Sequence, residues 1–119
     1  MMKILLSDPI TESGMAVLNE AKFEVVNLSK GTPEEKADAC KDVHGWIIRS
    51  GTKITEDMIA SADKLQAIGR AGVGVDNIDI PAATRRGIVV MNTPDVNTIS
   101  AAEHTVAMML TLSRNISVG

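Results

Sequence analysis

Aromatic side chains are nearly missing from this 119-residue chain: it has no tyrosine, one phenylalanine (Phe23) and one tryptophan (Trp46). Without rings to stack on bases, and with a formal net charge of −3, it lacks both the platform and the basic excess of a nucleic-acid binder. Cysteine is just as scarce. Cys40 stands alone, so no internal disulfide can form and nothing calls for an oxidising compartment. Its setting in EEKADACKD reads as a helix end, where a thiol is simply a small side chain. No apolar run approaches the roughly 18 residues that read as a membrane span. The start, MMKILLSDP, has too short an apolar run for a signal peptide and reads as a first strand. The expected location is cytoplasmic.

What the chain does have is the ordinary make-up of one globular domain, 45% hydrophobic and 23% charged. Short apolar runs alternate with helical patterns. Strands are expected at KILLS (3–7), FEVVN (23–27), GWIIRS (45–50), LQAIGRA (65–71) and IVVMN (88–92). Between them, apolar residues recur at helical spacing at Ile10, Gly14, Val17, Leu18 and Ala21. Thr32-Pro33-Glu34-Glu35 carries an N-cap, a first-position proline and a capping-box glutamate. Thr55-Glu56-Asp57 opens another helix, and Gly87 closes the one running through Ala82, Ala83 and Arg86. Ser100 to Glu103 fits a capping box for a last helix that starts near Asn97 and runs to about Asn115. Strand and helix alternating five times imply an α/β fold, a doubly wound parallel five-stranded sheet covered on both faces. The last helix is apolar around most of its circumference, so one sheet face cannot cover it.

Ligands of such sheets sit at the carboxyl ends of the strands. The stretch GRAGVGVDNID (69–79) follows the fourth strand and opens like a dinucleotide fingerprint, G-x-G-x-x-G. The third glycine position, however, is Asn77, and Asp76 and Asp79 stand where a diphosphate would lie. Two readings remain. Gly72 and Gly74 let backbone N–H groups converge on a small carboxylate, or they make a tight strand–helix connection with no ligand. Arg49-Ser50-Gly51 closes the third strand; the arginine either pairs bidentately with an anion or is merely solvated. Asn92 to Thr98 is chiefly turn and cap chemistry. His44 and His104 have no partner at metal-ligand spacing, so no metal site is expected. The seven methionines read as packing.

Taken together, IIRSGTKITEDMI, LQAIGRAGVGVDNIDIPAATRRGIVVMNTPDVNTISAAEHTVAMMLTLSRNI and the weaker KILLSDPI resemble the D-isomer-specific 2-hydroxyacid dehydrogenases, most closely their 3-phosphoglycerate-oxidising branch. The resemblance implies a flavodoxin-like domain of strand order 2-1-3-4-5 over residues 1–96. It makes residues 97–119 a helix crossing to an NAD-binding Rossmann domain. It implies an NAD-dependent oxidation of the small anion 3-phosphoglycerate to 3-phosphohydroxypyruvate, at the entry to L-serine biosynthesis, by a homo-oligomer of the dimer type. It gives Arg49 and Ser50 to the substrate's acid or phosphate, the Val73 and Gly74 backbone to the substrate carboxylate, and Asn97 to the vicinity of substrate and nicotinamide. Val73 and Asn97 are thereby also cofactor contacts; relatives can carry threonine at the place of Val73, so a hydroxyl contact is lost here. The family's own G-x-G-x-x-G and its catalytic arginine, glutamate and histidine are implied to lie downstream of Gly119. The chain alone is therefore expected to be inactive, and to associate or exchange its last helix between copies. The rivals are a glyoxylate/hydroxypyruvate or D-lactate type sibling and a non-catalytic small-anion binding module. A phospho-acceptor receiver domain fits less well, because Arg49 and Met91-Asn92 replace its aspartate and lysine.

Overall fold

Residues 3–8, 12–20, 23–49, 51–71, 77–93, 103 and 107 are described by a computed structural model of the chain. Five strands, β1 (Lys3–Leu6), β2 (Glu24–Asn27), β3 (Gly45–Ile48), β4 (Ala67–Ala71) and β5 (Val89–Thr93), form one sheet in the order β2-β1-β3-β4-β5. Every pairing is parallel. Four helices connect them: α1 (Glu12–Glu20), α2 (Pro33–Ala39), α3 (Glu56–Ser61) and α4 (Ile80–Arg85), with a 3₁₀ turn at Cys40–Asp42 after α2. This is the flavodoxin-like order expected.

The central strands read as unbroken apolar runs because both of their faces are covered. Successive side chains of a strand point to opposite faces, and the core divides accordingly. Ile4, Leu6 and Ile47 pack with Leu18 of α1 in one cluster. Leu5, Trp46, Ile48 and Ile68 pack on the other face with Cys40, Ile59, Ala82 and Ala83, from the segments that carry α2, α3 and α4. Burying each of the larger side chains stabilises the fold by about 1.5–3 kcal/mol. Cys40 lies wholly inside this packing with its Sγ 3.0 Å from the Ala37 carbonyl. Burial pushes its thiol pKa up, away from the reactive thiolate.

The helix ends are set locally. The Thr32 hydroxyl accepts from the Glu35 N–H at 3.1 Å while the Glu35 carboxylate accepts from the Thr32 N–H at 2.9 Å, a complete capping box. Thr55 caps α3 through the Met58 N–H, and Asp79 caps α4 through the Ala82 N–H. After α4, Gly87 adopts φ = 71°, the left-handed turn that a side chain disfavours.

The structure differs from the sequence expectation in several places; β4, for one, begins at Ala67, two residues later than expected. The third strand stops at Ile48, two residues before the expected end, because the Arg49 N–H donates to the Asp8 carboxylate instead of continuing the ladder. An isolated parallel bridge, Ile54 with Ile78, also ties the β3–α3 loop to the β4–α4 loop. One residue on each side carries no periodicity for a sequence to reveal. The last helix, expected from near Asn97 to about Asn115, lies outside the described residues except for Glu103 and Ala107, which are helical and exposed.

Candidate functional site

The order β2-β1-β3-β4-β5 places a topological switch between β1 and β3, whose connections leave in opposite directions around the sheet. The crevice outside the carboxyl ends of such a strand pair is where open α/β sheets take ligands. Asp8 follows β1 there and Arg49 follows β3.

Below this edge lies a buried polar layer. Trp46 Nε1 donates to Ser7 Oγ at 2.7 Å, and the Thr52 hydroxyl lies 3.0 Å from that same oxygen. Ser7 is fully buried and Thr52 is 4% exposed. Each of these groups has a partner, as burial demands. The layer ties the tip of β1 to the loop that follows β3.

Above it, Arg49 is held by both of its backbone groups. Its N–H donates to Asp8 Oδ2 at 2.6 Å, and its carbonyl accepts from Asn77 Nδ2 at 2.9 Å. Asp8 is 5% exposed, and its other oxygen faces Gly51, where a Cβ would come within 2.7 Å of Oδ1. The glycine is needed at 51 for that close approach. Asn77 does more than hold Arg49: its Nδ2 also donates to the Thr52 carbonyl, and its Oδ1 accepts from Arg70 Nε at 2.6 Å. One carboxamide thus joins the tips of β3 and β4 and the loop between them. The Arg49 side chain, half-buried, starts from a backbone with little freedom.

Among the sequence candidates, Arg49 is brought to the switch-point crevice, whereas Ser50, Val73, Gly74 and Asn97 lie outside the described residues. His104 does too. His44 sits at the opposite edge, where its Nδ1 accepts from the Lys3 N–H at 3.0 Å and burial lowers its pKa. Sequence reasoning missed the roles of Asp8, Thr52, Arg70 and Asn77. An aspartate directly after the first strand, and an asparagine where the fingerprint wants glycine, were the signals available. A cleft of 340 Å³ borders the same loop on the side of α2 and α3, lined in part by Lys36, Gly51, Lys53 and Met58. Neither Asp8 nor Arg49 lines it.

A dinucleotide would have to meet the described end of the β4–α4 connection, residues 77–79, and the start of α4. The six-residue α4 already has its Ala82 amide taken by the Asp79 carboxylate, and the Asn77 side chain is committed to three partners. These residues do not fit the phosphates of NAD, which need free amides and no carboxylate at the helix start.

The family model for the D-isomer specific 2-hydroxyacid dehydrogenase, catalytic domain, matches residues 4–116. The chain belongs to that family. This dehydrogenase-family chain is 50% identical over 116 residues to the D-3-phosphoglycerate dehydrogenase of Methanocaldococcus jannaschii, covering 98% of the chain and 22% of the relative. It is 46% identical to the rat enzyme of the same name, covering 96% of the chain and 21% of the relative. Among solved structures, the NAD+-bound 3-phosphoglycerate dehydrogenase of Entamoeba histolytica superposes with TM-score 0.70 at 41% identity, over 78% of this chain and 33% of that one. The D-lactate dehydrogenase of Escherichia coli, at 21% identity and TM-score 0.62 over 98% of this chain and 38% of that one, shares the fold. The chain spans about a fifth of the length of the curated relatives it matches.

Proposed function

We propose that this chain is the substrate-binding domain of an NAD-dependent D-3-phosphoglycerate dehydrogenase, which oxidises 3-phosphoglycerate to 3-phosphohydroxypyruvate and so feeds L-serine synthesis. The observation that carries the reading is the double anchoring of the Arg49 backbone by Asp8 and Asn77 at the switch-point crevice. An arginine fork set on a fixed backbone presents a bidentate receptor for a carboxylate or phosphate, and only its side chain remains to be ordered when the anion binds.

In this reading residues 1–96 form the domain and 97–119 form a helix leading toward a second, nucleotide-binding domain. Arg49 and Ser50 take one acidic end of the substrate, the Val73 and Gly74 amides take its carboxylate, and Asn97 lies beside the reacting carbon. The division of labour is positional: this domain holds the substrate so that its C2–H faces the nicotinamide. NAD is held by other polypeptide, in keeping with the poor fit of Asn77, Asp79 and the start of α4 to its phosphates. The enzyme is a cytoplasmic homodimer. The names of the relatives at 46–50% identity support phosphoglycerate over glyoxylate or lactate as substrate.

The test is NADH formation from 3-phosphoglycerate by the full-length enzyme, alongside a panel of other 2-hydroxy acids. Arg49→Ala should raise KM for phosphoglycerate on the order of 100-fold, as expected for loss of a bidentate charged contact. The 119-residue chain alone should give no NADH above blank. Turnover by the isolated chain, or preference for a non-phosphorylated acid, overturns the reading.

A further inference from the structure

From the contacts at the crevice we propose that Asp8 is a positioning residue for Arg49, setting where the guanidinium meets the substrate anion without touching the substrate. The proposal rests on the substrate-binding reading of Arg49 given above, and deepens it.

Three observations converge on Asp8. It is an acid 5% exposed at the one crevice of the sheet where strand connections diverge. A carboxylate in that crevice repels an anion, so it cannot itself be the receptor for an acidic substrate. Its short 2.6 Å bond goes to the N–H of the very residue that carries the cationic fork, forty-one positions away. Finally, its second oxygen is packed against Gly51, where a side chain would press on it. The carboxylate therefore bonds Arg49 directly and lies close beside Gly51. Displacing it frees the N–H of Arg49 and opens space beside Gly51, and both changes let the Arg49 backbone shift. A shift of about 1 Å at a backbone that carries a long side chain is enough to misplace its fork.

A group that acts only through Arg49 gives a definite pattern in a double-mutant cycle on the full-length enzyme. Asp8→Ala should raise KM for 3-phosphoglycerate about tenfold while kcat stays within about twofold. Asp8→Asn keeps the shape and a weaker, uncharged acceptor, and should raise KM only about threefold. In an Arg49→Ala background, both substitutions should change KM by less than about twofold, because the group they position is gone. Should Asp8→Ala fail to fold, Asp8→Asn alone carries the same cycle.

A merely structural Asp8 would lower the melting temperature and the yield of active enzyme at constant KM. It would do so equally with and without Arg49. Either result overturns the proposal. If Arg49→Ala raises KM but the Asp8 variants do not, only this inference falls. If Arg49→Ala leaves KM unchanged, the reading of Arg49 as substrate receptor falls and takes the inference with it. Where the preferred substrate proves to be another 2-hydroxy acid, the cycle is read on that acid with the same criteria.

Discussion

The two edges of the sheet carry similar residues in opposite settings. At the amino edge, Lys3 reaches Asp42 at 2.7 Å and Glu24 at 3.4 Å, and Lys64 reaches the other Asp42 oxygen at 2.9 Å. The side chains in these pairs are 35–57% exposed. At the carboxyl edge, Ser7, Asp8, Thr52 and Arg70 are all at most 9% exposed. Exposed ion pairs hold little stability, since water and salt compete for both partners. Buried polar groups have no such substitute, and each must find a partner within the protein. The amino edge can therefore tolerate change, while the carboxyl edge admits few arrangements. Among the described residues, the buried polar and charged residues Ser7, Asp8, Thr52 and Arg70 gather at the edge where ligands bind, and their hydrogen bonds make that edge rigid.

The sharpest way to break this contrast is at Asn77. Asn77→Ala leaves the Arg49 and Thr52 carbonyls without this amide donor and takes away one acceptor of Arg70. Unpaired buried groups cost about 1–3 kcal/mol each, and with water repairing part of the loss the expected destabilisation is about 3 kcal/mol. Urea unfolding would show this as a lower midpoint with an unchanged slope. A loss below about 1 kcal/mol would mean that solvent replaces the carboxamide easily and that the edge is not rigid in the sense argued.

The same residue marks the limit of what the sequence disclosed. Five strands and the caps at Thr32, Thr55 and Gly87 were legible because each rests on local chemistry: apolar runs, hydroxyls before acids, a glycine after a helix; the strand order came only from the family resemblance. Arg49 was legible as a cation at a strand tip. Asn77 could be read only as a glycine that was missing, since its partners lie 25 and 28 positions away for the two carbonyls it serves. Asp8 stands directly after a strand, but its hold on Arg49 spans 41 positions. Local signals give elements. The links between strand tips depend on tertiary juxtaposition, which no spacing rule encodes.

A middle-sized effect is expected from His44, which belongs to the amino edge yet is partly buried. Its Nδ1 accepts the Lys3 N–H at 3.0 Å, a bond that an imidazolium cannot accept. Burial, with Lys64 adding to it, holds its pKa below the ordinary 6.5. The neutral ring is thus favoured by folding: its contribution is complete above pH 6.5 and is lost as pH falls below that value, while the unfolded chain takes up a proton the folded chain resists. Melting temperature should drop as pH falls below 6.5. His44→Asn, whose carbonyl accepts without titrating, should flatten that slope. An unchanged slope would mean that the ring is not the titrating group.

The smallest effect should come from Asp42, and its smallness is what sharpens the comparison. Bonds to Lys3 and Lys64 pull its carboxyl down from 3.8 to about 2, so its contribution is present above pH 4 and is lost as pH falls through about 2. The carboxylate stands in water, where salt screens its lysines. Asp42→Asn should therefore lower the melting temperature at neutral pH less than protonating His44 does, and the difference should vanish in about 1 M salt. Asp8 offers the counterpart: a carboxylate of the same type whose partner is a backbone N–H inside the protein, beyond the reach of counter-ions. If the effect of Asp42→Asn persisted in high salt and that of Asp8→Asn faded, the charge held in water would be the structural one. The division of the sheet into a tolerant edge and a rigid one would then be reversed.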